Sequence, residues 1–238
     1  PAAVRSGSPN ESTTMKLYMH PVSTATRPVR LLIAESGIAC EEVLVDILAG
    51  AHHQQPYASI NPSQLVPMLE DGDFRLTEGS AILKYLADKY DLATYPRDLQ
   101  RRARVNELMD WINTQLYREL GYGLVYPQLF PHHRRRSDEA QAGTLAWGQQ
   151  GARRWLQVLN DHWIGPDRAC LGGNQLTIAD YFGAGVVTIG ELIGCDYAAW
   201  PNIQRWLDRV KALPNWEQVD AAFNGFVAAN RGKAFVTV

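Results

Sequence analysis

Lys16-Leu17-Tyr18-Met19-His20-Pro21-Val22-Ser23-Thr24-Ala25-Thr26-Arg27-Pro28-Val29-Arg30-Leu31-Leu32-Ile33 is the stretch on which the fold turns. Leu17 and Met19 alternate with Tyr18 and His20, the two-residue period of a strand. Val29, Leu32 and Ile33 share a helical face, Pro28 sits in the first turn where its missing N–H is harmless, and Gly37 follows as a C-cap. A strand running into a helix sets unsatisfied N–H groups and the positive dipole end beside the hydroxyls of Ser23, Thr24 and Thr26. Such a junction is a natural anion site, although the same hydroxyls also suit plain capping and turn roles.

Working outward, residues 42–47 alternate like a second strand, and residues 50–63 read as irregular with one helical turn. Two strand-like runs, 66–70 and 74–77, flank Asp71-Gly72-Asp73, a strong hairpin signal. Ala81, Ile82, Tyr85 and Leu86 then recur at helical spacing. Beyond a Pro-containing linker no strand is evident, and amphipathic helices are predicted over 98–122, 137–162, 177–193 and 201–213. The predicted class is therefore an α/β N-terminal domain of βαβ-α-ββα order over 15–91 and an all-α domain over 97–238. Residues 1–14, rich in Ser, Pro, Thr and Ala, read as a flexible extension without the apolar core of a secretory signal.

Composition narrows the function classes. Of 238 residues, 46% are hydrophobic and 20% charged, which is globular rather than disordered, and the net charge of −2 recruits neither nucleic acid nor an anionic membrane. Apolar runs fall far short of the roughly 18–20 residues that span a bilayer. Cys40, Cys170 and Cys195 are scattered without a CxxC spacing, so neither a disulfide framework nor a zinc site is expected, and a reducing compartment is. The run His132-His133-Arg134-Arg135-Arg136 reads as a solvated interhelical loop.

Three further stretches carry chemistry. Asn61-Pro62-Ser63-Gln64-Leu65-Val66-Pro67 places a proline at the start of a strand, hence at an edge or bend. Leu76-Thr77-Glu78-Gly79-Ser80-Ala81-Ile82-Leu83 puts a carboxylate and free N–H groups at a helix start. Far downstream, Thr177 and Asp180 have capping-box spacing after Leu171-Gly172-Gly173.

Taken in this order, the strand-opening Leu17-Tyr18, the Ser23-to-Arg30 helix start, the Asn-Pro…Val-Pro loop and the Thr-Glu-Gly-Ser helix start resemble the cytosolic glutathione transferase superfamily. That family joins a thioredoxin-like N-terminal domain to a helical C-terminal domain. The resemblance implies an enzyme that activates the glutathione thiol for attack on small hydrophobic electrophiles. It also implies a detoxifying cytoplasmic homodimer, with glutathione as co-substrate and no metal or other cofactor. Theta-like and phi-like classes use a serine at the first turn, which carries over to Ser23. Beta-class enzymes have a cysteine where Thr24 stands, so their mechanism is absent, and Tyr18 is the nearest, poorer candidate for a tyrosine mechanism.

For glutathione, the resemblance carries over Val66 as the backbone partner of the cysteinyl unit and Pro67, in cis, as the residue that holds this edge open. It carries over Glu78 for the γ-glutamyl amine, Gly79 and Ser80 for its carboxylate, and His52 with neighbouring His53 for the glycyl end. Leu65 and Gly79 depart from the side chains common in the family. The electrophile is expected between the domains, at Gln115, Tyr122 and Tyr126, the tyrosines lying near a Gly-containing helix end, whereas Trp111 is expected in the core. A dehalogenase or isomerase using the same thiol site, or a non-catalytic binding module of the same fold, are the alternative functions.

Overall fold

The structure, a computed structural model, describes residues 15–238; the extension expected over 1–14 lies outside the described residues. β1 (Lys16–Met19) buries Leu17 and Met19, as its alternation requires. α1 (Thr26–Glu35) follows, and β2 (Glu41–Leu44) returns parallel to β1 as an exposed edge. β2 stops before the expected residue 47 because the Asp46 carboxylate accepts from the N–H groups of Leu48 and Ala49, both at 3.1 Å, and turns the chain.

A short helix, α2 (Tyr57–Ile60), leads to the hairpin of β3 (Met68–Asp71) and β4 (Phe74–Thr77). Pairing starts at Met68 rather than at residue 66, since Pro67 has no N–H to give a ladder. The sheet has the order β2-β1-β3-β4, with β3 antiparallel to both neighbours, and α3 (Gly79–Lys89) completes this half.

α4 (Leu99–Trp111) opens on Asp98, whose carboxylate accepts from the Arg101 N–H at 2.9 Å. The helix does not end near residue 122. It continues through wider π-type turns, Ile112–Val125, into α5 (Tyr126–Leu129). Gly123, which reads as a helix end, is instead a crossing point with α6 (Asp138–Val158): a Cβ at Gly148 would stand 2.3 Å from the Gly123 carbonyl oxygen. Two glycines let the helices cross at backbone distance.

α7 (Ile178–Val187) is buried along its whole length, packed against α1, α3 and α4. The expected capping box opens it. Asp180 accepts from the N–H groups of Leu171 and Thr177, each at 2.7 Å, and from the Trp206 indole at 2.9 Å, while burial pushes its carboxyl up to about 6. Trp206 belongs to α8 (Pro201–Lys211).

The last helix, α9 (Trp216–Asn230), was not among the expected elements, although Trp216, Val219 and Phe223 recur at helical spacing and are buried. Its apolar face carries Asp220, which meets Arg27 of α1 in a fully buried ion pair. Arg27 also donates to the Gly185 carbonyl at 2.8 Å and to the Thr188 hydroxyl at 3.1 Å, and its guanidinium lies 3.6 Å over the Phe223 ring.

Removing one half of a buried pair strands the other charge. Asp220→Asn is expected to cost about 3–5 kcal/mol, read as a lower urea midpoint, and the paired exchange Arg27→Met with Asp220→Leu is expected to recover most of it. A wild-type midpoint in Asp220→Asn would deny the pair this role.

Candidate functional site

Between the two halves lies a cavity of about 680 Å³ whose polar side is built from the loops and helix starts of the first half. Ser23 lines it from the turn between β1 and α1. The Ser23 N–H donates to the His20 carbonyl at 3.0 Å, and its carbonyl accepts from the N–H groups of Thr26 and Arg27 at 3.1 and 3.0 Å, closing the first turn of α1. Tyr18 does not line the cavity; its ring packs 5.8 Å from that of Tyr57.

The next wall is the loop before β3. The Tyr57 hydroxyl and the Asn61 amide donate to the Leu65 carbonyl at 2.5 and 2.7 Å, fixing the loop from behind. The Val66–Pro67 bond is cis, and both residues face the cavity with Val66 outside the sheet ladder. Glu78 caps α3 with a left-handed φ of 67° and makes no side-chain cap bond. Gly79 and Ser80 follow on the cavity wall, where the first N–H groups of the helix are free.

Gly79 has a physical reason. A Cβ there would stand 2.7 Å from the Ala25 carbonyl oxygen, so the starts of α1 and α3 abut at this residue. The glycine is thus required by packing and gives no support to a non-catalytic module.

The two adjacent histidines divide. His52 lines the cavity with its Nδ1 buried and unpartnered; burial, then His53 and His132, lower its pKa. His53 is outside the lining, contrary to expectation, because its Nδ1 pairs with the Gln64 side chain at 2.8 Å.

The opposite wall is aromatic. Tyr122 and Tyr126 face the cavity as expected, whereas Gln115 does not, lying off the face that these tyrosines share. Tyr117 and Phe130, of the same aromatic cluster in the sequence, also line the cavity, and Phe226 joins them from α9, which was not among the expected elements. His132 and His133 lie in the interhelical loop the sequence predicts, between α5 and α6, and also line the cavity, with the His133 ring 5.6 Å from that of Tyr122 and 5.4 Å from that of Tyr126. Only the arginines of that run turn away, Arg134 to Asp138 and Arg135 to Thr144. Burial first, then His132 and Arg135, lowers the His133 pKa. Trp111 is half-buried rather than in the core, packing on Trp155 and Trp163 away from the cavity.

The Tyr126 hydroxyl lies 2.7 Å from that of Thr24 and 2.7 Å from that of Tyr117. Burial pushes the Tyr126 phenol up to about 12 and Tyr117 well above its ordinary value. The chain's own thiols are equally inert: Cys40, Cys170 and Cys195 are pushed by burial up to about 11, and none lines the cavity.

A hydroxyl at a helix start, an open backbone edge and a carboxylate at a second helix start form a peptide-and-anion wall facing an aromatic one. Residues 13–88 match the family described as Glutathione S-transferase, N-terminal domain, and residues 135–214 match Glutathione S-transferase, C-terminal domain. Human glutathione S-transferase theta-1 is 35% identical over 206 residues, covering 83% of this chain and 82% of the relative. The rat theta-2 enzyme is 32% identical over 213 residues, covering 88% and 86%. The solved human theta-2 structure, a complex with glutathione and an unknown ligand, superposes with a TM-score of 0.80 at 29% identity, covering 94% and 93%. The chain belongs to the cytosolic glutathione S-transferase superfamily and is a glutathione transferase.

Because no side chain fits between the starts of α1 and α3, Gly79→Ala is expected to destabilise by about 1–3 kcal/mol through overpacking. Urea unfolding measures it, and an unchanged midpoint would show that the two helix starts are not locked together.

Proposed function

We propose that this glutathione transferase lays glutathione along the polar wall and adds its thiolate to a small hydrophobic electrophile seated against the aromatic wall. The observation that carries this reading is the position of Ser23. Ser23 shares its turn with Thr24, and Thr24 is bonded to Tyr126 of the aromatic wall, so the serine hydroxyl stands at the border between the walls.

A free thiol with a pKa near 8.5 is only about 3% thiolate at pH 7. Lowering that pKa by about two units takes about 2.7 kcal/mol of preference for the anion. A hydroxyl donor to charged sulfur supplies about 1.5–3 kcal/mol and a helix start about 0.3–1. Ser23 at the start of α1 combines the two. The backbone of Val66 then pairs with the cysteinyl unit, Glu78 takes the γ-glutamyl amine, the N–H groups at Gly79 and Ser80 take its carboxylate, and His52 faces the glycyl end. Sulfur attacks an electrophilic carbon held by Tyr122, Phe130 and Phe226; a C–S bond forms as the leaving group departs with its electron pair. Glutathione is the co-substrate, and the step needs no metal or other cofactor.

A detoxifying role in the cytoplasm and a homodimeric assembly belong to the same reading. Among the described residues no helix is long and apolar enough to cross a membrane, which is compatible with it. Sedimentation is expected to give twice the chain mass of 26.6 kDa, and a mass near that of one chain would refute the dimer.

Ser23→Ala removes the donor from the anion, so the bound thiol pKa is expected to rise by about one to two units. The sign follows from the thiolate: near pH 6.5 kcat/KM for an aryl halide falls about two- to sixfold, the loss of thiolate being partly offset by its greater nucleophilicity, and the loss shrinks as the pH rises. Unchanged conjugation and an unchanged thiol titration in Ser23→Ala would sink the assignment.

A further inference from the structure

The serine turn is held from several directions. On the side away from the aromatic wall its backbone is wedged by two glycines: a Cβ at Gly185 of α7 would stand 3.1 Å from the Thr24 carbonyl oxygen, and one at Gly79 would stand 2.7 Å from that of Ala25. On the cavity side the tether is a side chain. Thr24 is buried, and its hydroxyl is 2.7 Å from the Tyr126 hydroxyl, 102 residues away on α5. Tyr126 is fixed in turn by Tyr117, 2.7 Å from it, and by the His133 and Tyr122 rings around it.

Tyr126 therefore has a hydroxyl already committed to protein partners. Its phenol stays protonated across the working pH range, because burial holds it near 12, so the tether does not switch with pH. What it fixes is the residue next to Ser23. Ser23 itself is half-buried, with its carbonyl engaged by two N–H groups of α1, so the aim of its side chain follows the orientation of the 23–24 backbone.

We propose that Tyr126 is a positioning residue for the reaction, acting through Thr24 to hold the Ser23 hydroxyl in line with the glutathione sulfur. The proposal rests on the reading of Ser23 given above. It assigns the helical half of the chain a part in thiol activation, beyond walling the electrophile. A loosely held donor loses hydrogen-bond strength steeply as its angle opens, so a small rotation at Thr24 is felt at the sulfur.

The test is the titration of glutathione bound to the enzyme, followed by the ultraviolet absorbance of the thiolate. Tyr126→Phe keeps the ring that walls the cavity and deletes only the hydroxyl; Thr24→Val deletes the other partner at equal volume; Thr24→Ser keeps it. Tyr126→Phe and Thr24→Val are each expected to raise the bound thiol pKa by about half to one unit, a three- to tenfold loss of thiolate at low pH. Their double variant should add nothing further, and Thr24→Ser should titrate like the wild type.

A merely structural or electrophile-binding role moves thermal stability or the electrophile KM and leaves the thiol titration in place. An unchanged thiol pKa in either folded variant, alongside a raised pKa in Ser23→Ala, overturns the positioning role alone. An unchanged pKa in Ser23→Ala as well overturns both readings together.

Discussion

The buried pair between Arg27 and Asp220 is the constraint on which the arrangement of this molecule rests. A guanidinium that is 1% exposed is tolerable only where its charge is paired, because removing an ion from water costs several kcal/mol even after relaxation. The pairing comes from two helices: Asp220 and the Phe223 ring of α9, and the Gly185 carbonyl and Thr188 hydroxyl at the end of α7. Each lies more than 150 residues along the chain from Arg27. The first helix of the sheet half is thus bolted to the last helix of the other half. Without α7 and α9 in place, Arg27 is an uncompensated charge in an apolar interior.

The site inherits its order from that bolt. The Arg27 N–H donates to the Ser23 carbonyl, so the residue that ties the halves together also closes the serine turn. α9 brings Phe226 to the cavity by the same docking, and α7 presents Gly185 to the turn from beneath. A cavity between two halves is often soft, since interfaces between domains slide. Here the Ser23 turn is fixed by groups from both sides, which is what a preorganised donor needs if, as proposed, it is to favour an anion without reorganising.

The parts that were legible in the sequence are those whose cause is local. The strand-to-helix turn at Ser23, the proline at the head of β3, the Glu78 helix start and the Thr177–Asp180 box each depend on residues within a few positions of one another, so their spacing reveals them. Where the cause is distant, the reading failed. Gly123 looks like a helix end until Gly148 is seen against it, and Gly79 looks like a missing side chain until the Ala25 carbonyl is seen beside it. In the aromatic wall only Gln115 was misassigned, for a subtler reason. In the Ile112–Val125 segment the hydrogen bonds run i to i+5, so residues four and five apart share a face; Asn113, Tyr117, Tyr122 and Tyr126 fall into line, and Gln115 drops out. An ordinary helical period does not pick out that set. That His132 and His133 also reach the cavity is set by the turn after α5, which their basic neighbours do not reveal.

The electrostatics of the cavity follow from the same burial. Tyr117 and Tyr126 are held protonated, and His52 and His133 are held neutral at pH 7 by lowered pKa values, so these four lining groups bring no charge to the sulfur. In the proposed mechanism the Ser23 hydroxyl and the start of α1 stabilise the thiolate as dipoles. This balance matters for rate. Lowering a thiol pKa from about 8.5 to about 6.5 raises the thiolate fraction at pH 7 roughly 25-fold, but nucleophilicity falls with a Brønsted slope of about 0.4–0.5, or roughly eightfold over that range. A net gain of about threefold remains. A further two units from an adjacent imidazolium would add almost no thiolate and cost another eightfold or so in nucleophilicity. In the proposed mechanism a hydroxyl at a helix start brings the thiol close to ambient pH and no further.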